Sequence, residues 1–182
     1  DNIIAILLTD NIYQLLNTII SRCQIISFQD FPNFKEHSTL EIIANMIKNT
    51  NEEIEEFKND EKNIDKLDAV VRFVQQYETD HKKILLNIKS IWFNTFNDRE
   101  GMLEGLDLLI LLYKDILNIS LSLPMDIFHD YENHLVSLSH MLTPVDICHR
   151  LDVIIEYKNY LKVNANINLL MDKLIIELER RR

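Results

Sequence analysis

The chain has few of the residues that interrupt helices or form tight turns. Its 182 residues include 2 glycines and 3 prolines, a scarcity that disfavours a turn-rich all-β fold. The 2 cysteines, Cys23 and Cys148, are far apart and form no CxxC pair, so we expect two free thiols in a reducing cytosol. The phosphate-binding patterns GxxxxGKS/T and GxGxxG are also absent. We therefore expect no bound cofactor and no enzymatic activity from this chain alone.

Positive charge is outnumbered by negative charge, with 19 lysines and arginines against 29 acidic residues. The net charge is −10 and the only basic run is the Arg180-Arg181-Arg182 triplet, whereas a protein that grips DNA by itself usually carries a basic face. The most apolar run, residues 108–113, is far shorter than the roughly 20 residues that cross a bilayer. A cytoplasmic protein without a membrane partner is expected.

Metal-binding and nucleophilic patterns are equally absent. No two of the 6 histidines are spaced i, i+4, and there is no HExxH or GxSxG motif. No metal site is predicted.

The first 30 residues have a different pattern from the rest. Residues 3–8 form a short apolar run rich in β-branched side chains, which is typical of a buried strand. A turn at Thr9-Asp10-Asn11, a helix over residues 12–22 and a second strand over residues 23–28 are predicted to follow. Two strands alone are rarely stable, so this strand–helix–strand segment is interpreted as part of a larger α/β domain.

From residue 29 onward the apolar spacing predicts helices. Ser38 and Glu41 form a capping box, and Asn51 is predicted to cap a second short helix. From about residue 61 we predict six helical segments, of which residues 103–121 are apolar nearly all round and should be the central buried helix. Apolar spacing predicts a helix over 84–92 and another from Phe128 to residue 142; Thr143-Pro144 and the break at residues 164–166 mark the last two helix starts.

Residues 52–68 are acidic. They contain eight carboxylates against three lysines. Such a stretch is either a solvated helical face, which is the commoner case, or a docking surface for a basic partner.

Arg22 is the only basic residue among the first 30. It lies in Ser21-Arg22-Cys23, at the predicted junction of a helix and a strand. An arginine there can complement the helix dipole, or it can present a planar, permanently charged fork to a phosphate.

Residues around this arginine resemble the end of the AAA+ module of clamp-loader subunits. In that family a strand ending in a Thr-x-Asn sensor turn precedes a helix of the form Leu-Leu-Pro-Thr-Ile-x-Ser-Arg-Cys. This chain has Thr9 and Asn11 in the turn, Asn17 in place of the proline, and then Ser21, Arg22 and Cys23. Two further segments resemble the central collar helix and the last helix of the delta prime subunits of bacterial DNA polymerase III clamp loaders, and they cover residues 105–117 and 164–172.

The resemblance implies a C-terminal portion of such a subunit. Its fold would be mainly α, with a remnant of the AAA+ core at residues 1–30, a small helical lid at 31–60 and a helical collar at 61–182. Arg22 would act in trans as an arginine finger on ATP held by a neighbouring tau/gamma subunit, with Ser21 and Cys23 positioning it, while Thr9 and Asn11 would be structural. The partners would be tau/gamma and delta, and indirectly the sliding clamp and primed DNA. The Walker A loop and zinc-binding cysteines of the family would lie upstream.

Two alternatives remain open from the sequence. The first is a fragment of the ATP-hydrolysing tau/gamma subunit, whose lid carries an arginine that senses nucleotide; residues 49–54 contain none. The second is a purely structural helical interaction domain in which Ser21-Arg22-Cys23 is a coincidence.

Overall fold

In the computed structural model, the residues described are 6–7, 17–20, 22–24, 38–47, 50–162 and 166–179. The chain divides into two compact units, Asp1–Pro32 and Asn33–Arg182. In the first unit, helix α1 spans Asn17–Ile20, within the helix predicted over residues 12–22. Residues 6–7 and 23–24 are in neither helix nor strand. Because the rest of both predicted strands lies outside the described residues, the strand–helix–strand interpretation stays a prediction.

The described part of the second unit is helical. Six α-helices lie beyond residue 60, as predicted, and two of 9 residues each precede them. The bounds are α2 Thr39–Ile47, α3 Asn51–Asn59, α4 Glu61–Thr79, α5 His81–Ile88, α6 Arg99–Ser120, α7 Glu132–Met141, α8 Pro144–Lys162 and α9 Ile167–Glu179. The prediction of a mainly α protein is confirmed. No helix in the described ranges is long and apolar enough to cross a membrane.

Side-chain caps begin most of these helices. Ser38 Oγ accepts the N–H of Glu41 at 3.3 Å, and Asn166 Oδ1 accepts that of Leu169 at 3.1 Å, as the sequence predicts. The cap of α3 is Thr50, whose Oγ1 accepts the N–H of Glu53 at 3.3 Å, so the expectation of Asn51 was wrong by one residue. A cap of this kind satisfies a backbone donor that the first helical turn leaves free.

Helix α6 is the centre of the second unit. Leu106, Leu109, Leu112, Tyr113 and Ile116 are fully buried along its length, and α4, α7 and α8 pack around it. Burying one large apolar side chain stabilises a fold by about 1.5–3 kcal/mol. The all-round apolar pattern of this segment therefore predicted its central place correctly.

An aromatic cluster packs against α6 through a glycine. Between α5 and α6 the chain makes a π-helical turn, Lys89–Phe93, where the sequence predicted one continuous helix over 84–92. Trp92, fully buried, stacks at a tilt on Phe96 with ring centroids 4.5 Å apart. A Cβ at Gly105 would lie 2.7 Å from Cζ2 of Trp92, so only glycine permits this close approach.

A largely buried ion pair joins α4 to α8. Arg150 Nε lies 3.0 Å from Oε1 of Glu78, and the same guanidinium donates to the carbonyl of Leu178 in α9 and lies over the ring of Tyr77, 5.4 Å from its centroid. Tyr113 of α6 donates its hydroxyl to Glu78 at 2.7 Å. One arginine and one carboxylate thus fix the relative positions of four helices.

Asp115 of α6 holds the loop that leads from α6 toward α7. Its buried carboxylate accepts the backbone N–H groups of Asp126, Ile127 and Phe128 at 3.0, 2.9 and 2.8 Å. A 3-10 turn at His129–Tyr131 follows Phe128 and α7 begins at Glu132, so the predicted start of the α-helix at Phe128 was four residues too early.

The N-terminal end of α2 is tied to this same region. The N–H of Thr39 donates to Oδ2 of Asp130 at 2.7 Å, and the N–H of Asp130 donates to Oγ1 of Thr39 at 3.3 Å. Residues on both sides of the expected lid–collar boundary at residue 60 are therefore bonded within one compact unit, and the boundary itself stays a prediction.

Candidate functional site

The predicted site residue Arg22 lies in a turn directly after α1. Its N–H donates to the carbonyl of Ile19 at 3.0 Å, which closes the last turn of the helix. The side chains of Arg22, Cys23 and Gln24 are all exposed, and we refer to these three residues as the arginine turn. Of the other predicted site residues, Thr9, Asn11 and Ser21 lie outside the described residues.

The chemistry open to the arginine turn is that of its guanidinium. Arginine stays charged at any physiological pH and presents a rigid set of donors that matches a phosphate or carboxylate. Because the side chain is exposed, it is accessible to a group on another molecule. The adjacent Cys23 thiol is free and exposed.

A second feature, which the sequence did not predict as a site, is a groove in the second unit. It has a volume of about 750 Å³ and is walled by α2, α3, α4 and α6. We call it the acidic groove. Its lining residues are Leu40, Ile43, Ile47, Glu53, Glu56, Phe57, Asp60, Asn63, Lys66, Leu67, Glu100, Glu104, Asp107, Leu108 and Leu111.

Apolar side chains and carboxylates share this lining. Seven residues are apolar, six are acidic and one, Lys66, is basic. Lys66 lies at a junction of α4 and α6, where its Nζ is 2.7 Å from Oε2 of Glu104 and 3.4 Å from Oδ1 of Asn63. The acidic stretch of residues 52–68 thus contributes three of the six groove carboxylates. Periodicity could not reveal the groove, because four separate helices build it.

Some of the carboxylates already have structural partners. Asp60 caps α4 by accepting the N–H of Lys62 at 3.0 Å, and Asp107 pairs with Lys158 of α8. Glu56 and Glu100 are both exposed, and in the described ranges neither has an ion-pair partner. Negative charge at the groove mouth is therefore only partly compensated.

The fold and the arginine turn together define a mainly α-helical protein with an exposed arginine at the end of a helix in a small N-terminal unit. Residues 1–32, which include that turn, match the protein family described as DNA polymerase III, delta subunit. Over 96% of its length the chain is 28% identical, in an alignment of 193 residues, to DNA polymerase III subunit delta' of Bacillus subtilis (strain 168). The chain spans 56% of the length of that relative. No solved structure matches the chain.

These two likenesses confirm the resemblance to delta prime subunits that the sequence motifs indicated. Over nearly all of its length the chain is similar to a delta prime subunit.

Proposed function

We propose that the chain is part of a delta prime subunit of a bacterial clamp loader, the assembly that uses ATP to place the sliding clamp on primed DNA during replication. The observation that carries this proposal is the likeness to the Bacillus subtilis subunit, which extends over 96% of the chain. In this assignment the protein works in the cytoplasm and helices of residues 61–182 contribute to a collar shared with tau/gamma and delta subunits.

Arg22 would then act on a nucleotide that this chain does not itself hold. The neighbouring tau/gamma subunit would bind ATP, and the guanidinium would stabilise the negative charge that develops as the γ-phosphoryl group is transferred. The exposure of Arg22 at the end of α1 supports this role, since the side chain of a trans arginine finger has to extend beyond its own subunit. Ser21 and Cys23 would set the direction of the side chain.

The test replaces Arg22 in a loader reconstituted with tau/gamma and delta. A trans arginine finger contributes about a thousandfold or more to turnover at the site it serves, so Arg22→Ala should nearly silence one ATP site. The ATPase activity stimulated by clamp and primed DNA should fall by the fraction that this one site contributes to the total turnover. Assembly of the complex, measured by gel filtration, should stay intact. Arg22→Lys should recover only part of the activity, because an ammonium keeps the charge but loses the planar fork.

Lys82→Ala is the matched control, because it removes one exposed cation from α5 and should leave the stimulated ATPase unchanged. If Arg22→Ala also leaves the stimulated ATPase activity unchanged in an intact complex, the proposed role of Arg22 as a trans arginine finger is wrong. The purely structural interaction domain would then be the better account of the chain.

A further inference from the structure

We propose that the acidic groove is a docking site for a basic, amphipathic helix of a partner protein. This interaction is separate from the arginine turn and goes beyond the clamp-loader role proposed above. It rests on the combination of an apolar floor with an acidic rim, because neither feature alone specifies a partner.

The floor requires an apolar face on whatever covers it. Ile43 and Leu67 are buried beneath it, Leu40 and Leu111 are half-buried, and Ile47 keeps 55% of its surface exposed at one end. These side chains come from α2, α4 and α6 and form one continuous lining. A groove between helices with anchors of this kind matches the way an amphipathic helix lays its apolar side chains into a partner.

The rim requires positive charge beside that apolar face. Six carboxylates and one ammonium line the groove, and the ammonium of Lys66 is already held by Glu104. Glu56 on α3 and Glu100 on α6 remain without an ion-pair partner among the described residues, on two different walls. Lysine or arginine side chains flanking the apolar face of a docked helix would reach both walls at once, since long basic side chains keep their heads in water while their stems cover apolar surface.

The charge also argues against a small organic ligand. Pockets for such ligands are mainly apolar with a small number of placed polar groups, whereas almost half of the residues that line this groove are charged. A simple polycation is the remaining competitor, because it would satisfy the rim but leave the apolar floor in water. The two occupants differ in one measurable respect, which is the need for an apolar face.

Binding is tested with the full chain and synthetic peptides of about 14 residues, roughly four helical turns. The probe is a fluorescein-labelled leucine–lysine peptide whose leucines lie on one helix face. We expect saturable binding by fluorescence anisotropy, weakened by added salt because the charge contribution is screened. A peptide of the same composition with leucines spread around the helix should bind about tenfold more weakly, the effect of losing one buried leucine.

Two pairs of variants locate the binding site. Glu56→Gln with Glu100→Gln removes two rim charges and should weaken binding about threefold to tenfold, whereas Asp152→Asn with Asp172→Asn, on exposed faces of α8 and α9, should not. Ile47→Ser should weaken binding about fivefold. Met46→Ser is its control, since Met46 is equally exposed at 56% on the same helix but does not line the groove.

The proposal is overturned if the probe peptide does not bind. It is also overturned if the scrambled peptide or spermidine binds as tightly as the probe, because charge alone would then explain the association. Unchanged affinity in both groove variants would place the peptide elsewhere on the surface and refute it too. All four variants change exposed residues, so their folding should match the wild type by circular dichroism.

Discussion

Replacing Asp115 by asparagine should destabilise the fold strongly. The carboxylate is fully buried and accepts three backbone N–H groups, from Asp126 through Oδ1 and from Ile127 and Phe128 through Oδ2. Asparagine has nearly the same shape, but its amide nitrogen can only donate. At least one of the three backbone N–H groups must then face the side-chain NH₂ group, which is also a donor.

The magnitude follows from these three bonds. A hydrogen bond to a charged group contributes about 1.5–3 kcal/mol and a neutral one about 0.5–1.5 kcal/mol, while a buried donor left without an acceptor costs about 1–3 kcal/mol. Removing the charge relieves some desolvation, but the three N–H dipoles already solvate the carboxylate, so this gain is the smaller effect. We expect Asp115→Asn to lower the free energy of unfolding by about 3 kcal/mol, which is roughly 6–12 °C in Tm for a chain of this size.

Urea unfolding followed by tryptophan fluorescence measures this change. Trp92 is the single tryptophan of the sequence, is fully buried, and lies in the same compact unit as Asp115. The control is Asp172→Asn on the exposed face of α9, which should change stability by less than about 0.5 kcal/mol. If Asp115→Asn loses no more stability than this control, the three hydrogen bonds do not stabilise the loop.

Two further perturbations test the core around α6. Gly105→Ala should destabilise the fold by about 1–3 kcal/mol in the same urea assay, because the added Cβ would lie 2.7 Å from a ring carbon of Trp92. Gly101→Ala is the control and should change stability far less, since the nearest atom to its added Cβ is a side-chain oxygen at 3.2 Å. Burial, and then the nearby Glu78, raise the pKa of the Tyr113 hydroxyl well above its ordinary value. Since an unfolded tyrosine ionises near pH 10, this contribution to stability is complete below about pH 10 and is lost as pH rises further. Tyr113→Phe should reduce the steepness with which the unfolding free energy falls above about pH 10, by up to the slope that one titrating proton contributes. An unchanged slope would contradict the assignment.

The positions of the helices were largely predictable because the signals are local. Apolar residues at helical spacing and capping side chains act within a few residues of where they stand in the sequence. The starts of α2, α8 and α9 were therefore placed correctly from Ser38, Thr143 with Pro144, and Asn166. At α3 two good capping residues, Thr50 and Asn51, are adjacent, and their local preferences do not distinguish them.

The errors arose where tertiary contacts accompany a local departure from regular α-helix. The chain enters α7 through a 3-10 turn at His129–Tyr131, and Asp115, 13 residues earlier, anchors the N–H of Phe128 just before that turn. The π-helical turn before α6, with the N–H of Asn94 bonded to the carbonyl of Lys89 at 3.1 Å, accompanies the packing of Trp92. Neither effect has a signature in the periodicity of its own segment.

The candidate sites show the same division. The sequence identified Arg22 as the only basic residue in its region, within a motif that resembles that of clamp-loader subunits. The structure added that its side chain is exposed. The acidic stretch 52–68 was visible too. Whether it met water or bordered a groove could not be decided, because part of the apolar floor comes from α6, for example from Leu111, tens of residues further along the chain.

By itself, the sequence determined that the chain is helical, where most helices begin, and which one is central, since these depend on backbone preferences and on apolar spacing within single segments. Only the tertiary structure decided how α6 and α7 are joined, where Glu78 and Arg150 meet, and that carboxylates of α3, of α6 and of Asp60 between α3 and α4 share one apolar groove. Those features depend on groups that are 11–13 residues apart at Asp115 and 72 residues apart at Glu78 and Arg150. The packing of the core, rather than any local propensity, brings them together.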